Sequence, residues 1–117
     1  MYSTLEEAFQ TARFIGSDEE LVQKIKNSHS AHEAQKIAYQ NLDKQRKDWE
    51  KVELEIMEEL LRLKVEQNPY VLKKLLETKD YYIVEDSPKD AYWGWGENRD
   101  GLNNLGKLWM KIRNEKR

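Results

Sequence analysis

KDWEKVELEIMEELLRLKVEQNP, Lys47 to Pro69, is the stretch that decides the fold class. From about Asp43 to Gln67, the residues Trp49, Val52, Ile56, Leu60 and Leu63 recur at steps of three or four. That is the spacing of one face of an α-helix, and the opposite face carries the mixed charge of a solvated surface. Asn68-Pro69 then restarts a helix, with Asn68 as N-cap and Pro69 at the first helical position, where its missing N–H costs nothing. Leu72, Leu75 and Leu76 supply the apolar stripe of that next helix.

Toward the N-terminus, Thr4-Leu5-Glu6-Glu7 has the spacing of a capping box, with Leu5, Ala8, Phe9 and Ala12 on one face and Gly16 as the stop. A second helix opens at Ser17 or Asp18 and buries Leu21, Val22 and Ile25. Ser30 and Glu33 repeat the capping-box spacing ahead of Ala34, Ile37 and Ala38. Toward the C-terminus, Tyr81-Tyr82-Ile83-Val84 is β-branched and aromatic and reads as a strand. Asp86-Ser87-Pro88 interrupts it and opens a loop to about Asp100. Leu102, Leu105, Leu108, Trp109 and Ile112 mark a last helix. The expected fold is mainly α, a single domain over residues 1–117 packed around the Trp49 stripe. At most a small β element is expected near 81–84.

At 117 residues the chain is long enough for one core and one cleft. Its 20 Lys and Arg against 22 Asp and Glu exclude a strongly basic nucleic-acid footprint over the whole chain. A local basic groove is not excluded. The absence of Cys removes disulfides, a thiol nucleophile and Cys-based zinc sites. No stretch nears the ~18 consecutive apolar residues of a membrane span, and MYSTLEEAF lacks the basic and apolar regions of a signal peptide. The expected location is therefore the cytoplasm, away from membranes. There is no P-loop, G-x-S-x-G elbow or H-E-x-x-H, so kinase, lipase and zinc-protease readings have no support. His29 and His32 have only Glu33 as a local third ligand, and no metal or organic cofactor is expected. Lys44-Gln45-Arg46-Lys47 reads as a solvated helix face rather than a phosphate site.

The chemistry concentrates in VEDSPKDAYWGWG, Val84 to Gly96, because long aromatic, Gly-rich loops inside compact domains usually do more than connect. Asp90 and Trp93 lie three apart, a spacing that sets a carboxylate beside a flat aromatic wall. A carboxylate there can stabilise a developing sugar cation while the indole stacks on a base or sugar. The competing reading has Trp93 and Trp95 plugging the core and Asp90 capping a turn. Glu7 reads as a complement to the helix dipole. Glu6 points to a different face, where it could meet a cleft. Trp49 begins the core stripe, and periodicity alone favours plain packing for it.

Four segments in register resemble the NADAR family of N-glycosidases. TLEEAFQTARF (Thr4–Phe14) is similar to its T-x-E-H-Y-F-Q-A-x-K-F motif, and Lys47–Pro69 to its W-x-x-V-x-x-x-x-M-x-x-A-L-R-x-K-F-x-Q segment. VEDSPKDAYWGWG and GLNNLGKLWMKIR (Gly101–Arg113) resemble its E-x-x-x-x-D-x-x-W-G-x-G and G-x-N-x-L-G-x-x-L-M-x-x-R endings. The resemblance runs from residue 2 to about residue 113. It implies cleavage of an N-glycosidic bond in a ribosylated nucleotide, either a phosphoribosylamino-pyrimidine intermediate of riboflavin synthesis or ADP-ribose attached to guanine, as a free nucleotide or a nucleic-acid base. It also selects Glu6 and Asp90 as catalytic carboxylates, with Trp49 and Trp93 as substrate-binding indoles.

Arg13 stands where the family carries a Lys that could form a Schiff base, which Arg cannot do, but it can grip a phosphate in bidentate fashion. Lys64 matches the family's other Lys, and Asn103, in the G-x-N-x-L-G element, joins the substrate-binding set. Glu7-Ala8 replaces the usual His-Tyr. The chain starts almost at the first motif, with Tyr2 where a Trp is common, which implies a short member lacking the usual N-terminal segment. Two other functions fit the same residues: a module that sequesters ADP-ribose or a related nucleotide without cleaving it, and a helical domain whose Trp-rich loop docks a protein.

Overall fold

A computed structural model describes residues 5–117. Among them run six α-helices: α1 Leu5–Phe14, α2 Glu19–Lys26, α3 Ala31–Tyr39, α4 Trp49–Gln67, α5 Pro69–Glu77 and α6 Asn104–Lys116. A 3-10 turn, Leu42–Lys44, lies between α3 and α4. The fold is mainly helical, as expected. The chain packs as two compact units, Met1–Leu60 and Leu61–Arg117. No helix among the described residues is long and apolar enough to cross a membrane.

In the first unit, α1, α2 and α3 pack on one another around Phe14, Leu21, Val22, Ile25, Ala34, Ile37 and Ala38. The helix starts follow their caps. Asp18 Oδ1 accepts from Leu21 N at 3.1 Å, and Ser30 Oγ accepts from Glu33 N at 3.1 Å. The second half of that capping box is displaced by one residue, since Glu33 Oε2 takes the N–H of His29 rather than that of Ser30. The expected Thr4 cap lies outside the described residues. Past the end of α1, Gly16 adopts φ +83°, a left-handed conformation that glycine takes at no steric cost.

Two helical faces differ from their expected phase. On α1, Leu5, Ala8 and Ala12 are only half-buried, whereas Glu7, Gln10, Thr11 and Arg13 are buried beside Phe9 and Phe14. A polar face is thus turned inward, and hydrogen bonds that link Glu6, Gln10, Arg13 and Gln45 offset its desolvation. The long helix starts at Trp49 rather than near Asp43. Asp43 belongs to the 3-10 turn, Gln45 is extended, and Arg46 N donates to Arg13 O at 2.9 Å, which ties the chain to α1 before α4 begins. The buried row of α4 is Trp49, Met57, Leu61 and Val65, at multiples of four, with Val52, Ile56 and Leu60 half-buried beside it. Leu63 lies two residues from both Leu61 and Val65, which is the opposite side of a helix, and it is 47% exposed.

In the second unit Asn68 caps α5, its Oδ1 accepting from Tyr70 N at 3.2 Å, and α5 packs on α6. Leu75 is buried, whereas Leu76 is exposed. The expected strand at Tyr81–Val84 does not form, and no strand occurs among the described residues. A strand needs a partner ladder, and here side chains of α6 and its N-cap take that place. Arg113 Nη1 donates to Tyr81 O at 2.7 Å, Asn103 Nδ2 donates to Ile83 O at 2.9 Å, and Ile83 N reaches Met110 Sδ at 3.4 Å. The segment is a strap held to a helix through its backbone, with Tyr81 and Tyr82 exposed and Ile83 and Val84 half-buried.

Candidate active site

The first unit joins Glu6, Arg13 and Trp49. Positions 6, 10 and 13 share one face of α1, and their side chains form a chain of hydrogen bonds. Gln10 Nε2 donates to Glu6 Oε1 at 2.7 Å, and Gln10 Oε1 accepts from Arg13 Nε at 3.0 Å. Arg13 Nη1 in turn donates to Gln45 Oε1 at 2.8 Å. The guanidinium lies over Trp49, 4.8 Å from the ring centroid, and 5.9 Å from that of Tyr39. Phe9 packs on Trp49 from α1, with ring centroids 5.1 Å apart. Burial pushes the Arg13 guanidinium below its ordinary value, while Tyr39, Glu53 and Glu6 oppose the shift. An arginine so placed keeps its charge. The result is a half-buried carboxylate, a cation and an indole wall on one side of one helix.

The second unit joins Asp90 and Trp93. Asp90 Oδ1 accepts from Tyr92 N at 2.9 Å and Trp93 N at 2.8 Å, an Asx turn that fixes the carboxylate and the indole on one bend. The turn-capping reading of Asp90 holds, because its carboxylate bonds the backbone of Tyr92 and Trp93. Tyr92 and Trp93 meet edge to face at 5.0 Å. The loop folds tightly on itself. A Cβ on Gly94 would lie 2.8 Å from Glu85 O and from Ser87 Cβ, so the W-G-W-G run needs glycine there. The carbonyls of Tyr92, Trp93 and Gly94 accept the N–H groups of Asn104, Leu105 and Asn103, so the N-terminus of α6 is capped by the loop. The Trp95 indole N–H is buried without a partner among the described residues.

Asn103 and Lys64 both lie in the second unit. Asn103 is buried at φ +52°, and its amide bonds to the backbone of the strap, accepting from Glu85 N at 2.9 Å as well as donating to Ile83 O. Lys64 is exposed on α4. His29 and His32 are both exposed, and among the described residues no group of three His, Cys, Asp or Glu could hold a metal ion. In the basic run, Arg46 turns to Asp48 in a two-bond ion pair of 2.6 and 2.9 Å. Sequence reasoning passed over Gln10 and Gln45. The i, i+4, i+7 spacing of Glu6, Gln10 and Arg13 would have found the first. Gln45 comes from another element and carried no such signal.

Comparison with known proteins places this helical chain in one family. The NADAR domain profile covers residues 1–117, and the chain belongs to that family. It is 35% identical over 115 residues to an N-glycosidase of Nostoc punctiforme, covering 97% of this chain and 74% of that protein. It is 34% identical over 114 residues to the N-glycosidase YbiA of Escherichia coli, covering 97% of this chain and 70% of YbiA. The riboflavin biosynthesis protein PYRR of Zea mays is 34% identical over 122 residues, but this chain spans only 20% of its length. The solution NMR structure of E. coli YbiA superposes with a TM-score of 0.88 at 34% identity, over 97% of this chain and 67% of that one.

Proposed function

We propose that this chain is an N-glycosidase that hydrolyses the C1–N bond between ribose and a base or amine in a ribosylated nucleotide. The observation that carries the reading is the α1 face, where Gln10 holds the Glu6 carboxylate in line with an arginine stacked on Trp49. As the C1–N bond breaks, positive charge builds at C1, and a fixed carboxylate stabilises it. Water adds its oxygen to C1 and gives up a proton to a carboxylate, and the leaving nitrogen gains a proton, so the reaction needs no redox partner. Glu6 and Asp90 are the two carboxylates for these roles. Trp93 is the stacking surface, Trp49, buried behind Arg13, shapes the pocket wall, and Arg13 is the cation for a phosphate group.

Family membership and the N-glycosidase names of relatives at about one-third identity support the reaction class. The test is incubation with ADP-ribosylated guanosine and with a phosphoribosylamino-pyrimidine, read by mass spectrometry. Wild type should release free base or amine, and Glu6→Gln and Asp90→Asn should each cut turnover by about 100-fold. Asn at position 90 keeps the acceptor for Tyr92 N and Trp93 N, so its loss of activity does not reduce to loss of the turn. Full activity in both variants would overturn the mechanism. Tight nucleotide binding without product would replace hydrolysis by sequestration.

A further inference from the structure

We propose that Gln10 is a positioning residue for Glu6, with its direction imposed by Arg13. The inference rests on Glu6 being catalytic, and deepens that reading. A glutamine amide can face either way round, and what lies on its two sides decides which. Arg13 Nε can only donate, so the oxygen of Gln10 must face it, at 3.0 Å. The amide nitrogen is then forced toward Glu6, and donates to Oε1 at 2.7 Å. Gln10 is 1% exposed and cannot swing out to water. Arg13 is itself held from the far side by Gln45 and by the Trp49 face.

The consequence is a division of labour between the two oxygens of Glu6. Oε1 is occupied by Gln10, and among the described residues no hydrogen bond goes to Oε2. Oε2 is the oxygen presented to a reacting atom, and the relay from Gln45 through Arg13 and Gln10 fixes where it points. A catalytic group must be held within a fraction of an ångström of its productive position, and a misplacement of about 1 Å can cost roughly 100-fold in rate.

The test pairs two measurements on Gln10→Glu, Gln10→Met, Glu6→Gln/Gln10→Glu and Thr11→Val. Thr11 is a neighbouring buried residue of α1 that bonds to Glu7 O and serves as the control for general destabilisation. Melting temperature comes first, because it needs no substrate. Gln10→Glu sets two carboxylates face to face and should lower it, and the added Glu6→Gln should restore it by returning a donor to the pair. No restoration would overturn the assigned bond. Turnover per folded molecule on the substrate that wild type cleaves comes second. Gln10→Glu and Gln10→Met should lose about 100-fold in kcat with KM changed less than about threefold, whereas Thr11→Val keeps kcat. Unchanged kcat in both Gln10 variants beside an active wild type would overturn the proposal. An inactive wild type would instead remove the glycosidase reading, with the melting cycle still deciding the bond.

Discussion

Asn103 holds the strap to the helix that follows it, using both ends of one amide. Its oxygen takes the N–H of Glu85 and its nitrogen serves the carbonyl of Ile83, two groups whose backbone would otherwise be left without partners. Gly106 completes the arrangement, because a Cβ there would lie 2.3 Å from Ile83 O and 2.5 Å from Asn103 Nδ2. Asn103→Asp should therefore be costly although it changes only one group of similar size. It keeps an acceptor for Glu85 N but turns a carboxylate oxygen toward the Ile83 carbonyl. We expect a loss of about 2 kcal/mol, seen as a melting temperature lower by roughly 8 °C. A melt matching wild type, with only KM raised, would instead favour a direct role for Asn103 in holding substrate. From sequence, this residue reads as a ligand contact because it sits in a family motif. Its structural work depends on an N–H and a carbonyl, 18 and 20 residues upstream, which no local pattern displays.

Helices were legible in the sequence wherever their signals were local. Asp18, Ser30 and Asn68 each cap the helix that their position predicts, because a cap and the N–H donors it accepts from lie within three residues. The phase of a buried face is less local. The Trp49 row runs at multiples of four, and the inward face of α1 is polar because Gln10, Arg13 and Gln45 satisfy one another. The start of α4 is set by a similar local device. Arg46 grips Asp48 one residue before Trp49, and Asp48 O accepts the N–H groups of Lys51 and Val52. The Arg46 hydrogen bond holds the Asp48 carboxyl below its ordinary value. A depressed folded value means that the pair stabilises the fold above the ordinary carboxylate range and stops doing so as pH falls through the depressed value. Asp48→Asn should accordingly melt slightly below wild type at neutral pH, with the difference closing as pH falls below the ordinary carboxylate range and in high salt. A gap that widened on acidification would contradict this assignment. The pair is half-exposed, so the effect is small.

At the scale of the molecule, a net charge of −2 offers little general attraction to an anionic nucleotide, so recognition has to come from particular groups. Arg13 is the prime candidate, since it is buried, stacked on Trp49 and already held by two glutamines. Such a cation loses little further conformational freedom when it binds a phosphate. Binding to the folded chain alone must raise its stability, by about 2.7 kcal/mol when free ligand reaches 100 times its Kd. For a chain of this length that corresponds to a rise of roughly 10 °C. ADP-ribose is the probe, titrated to millimolar concentration and followed by thermal melting. Wild type should climb logarithmically with concentration once past Kd. Arg13→Lys keeps the charge but loses the planar fork and the stacked contact, so its curve should be displaced to about tenfold higher concentration. Salt separates this account from a diffuse one. A desolvated arginine is weakly screened, and the wild-type shift should persist at several hundred millimolar NaCl, whereas attraction by scattered surface lysines would fade. A curve that collapses with salt in wild type and lysine variant alike would move recognition away from the α1 face.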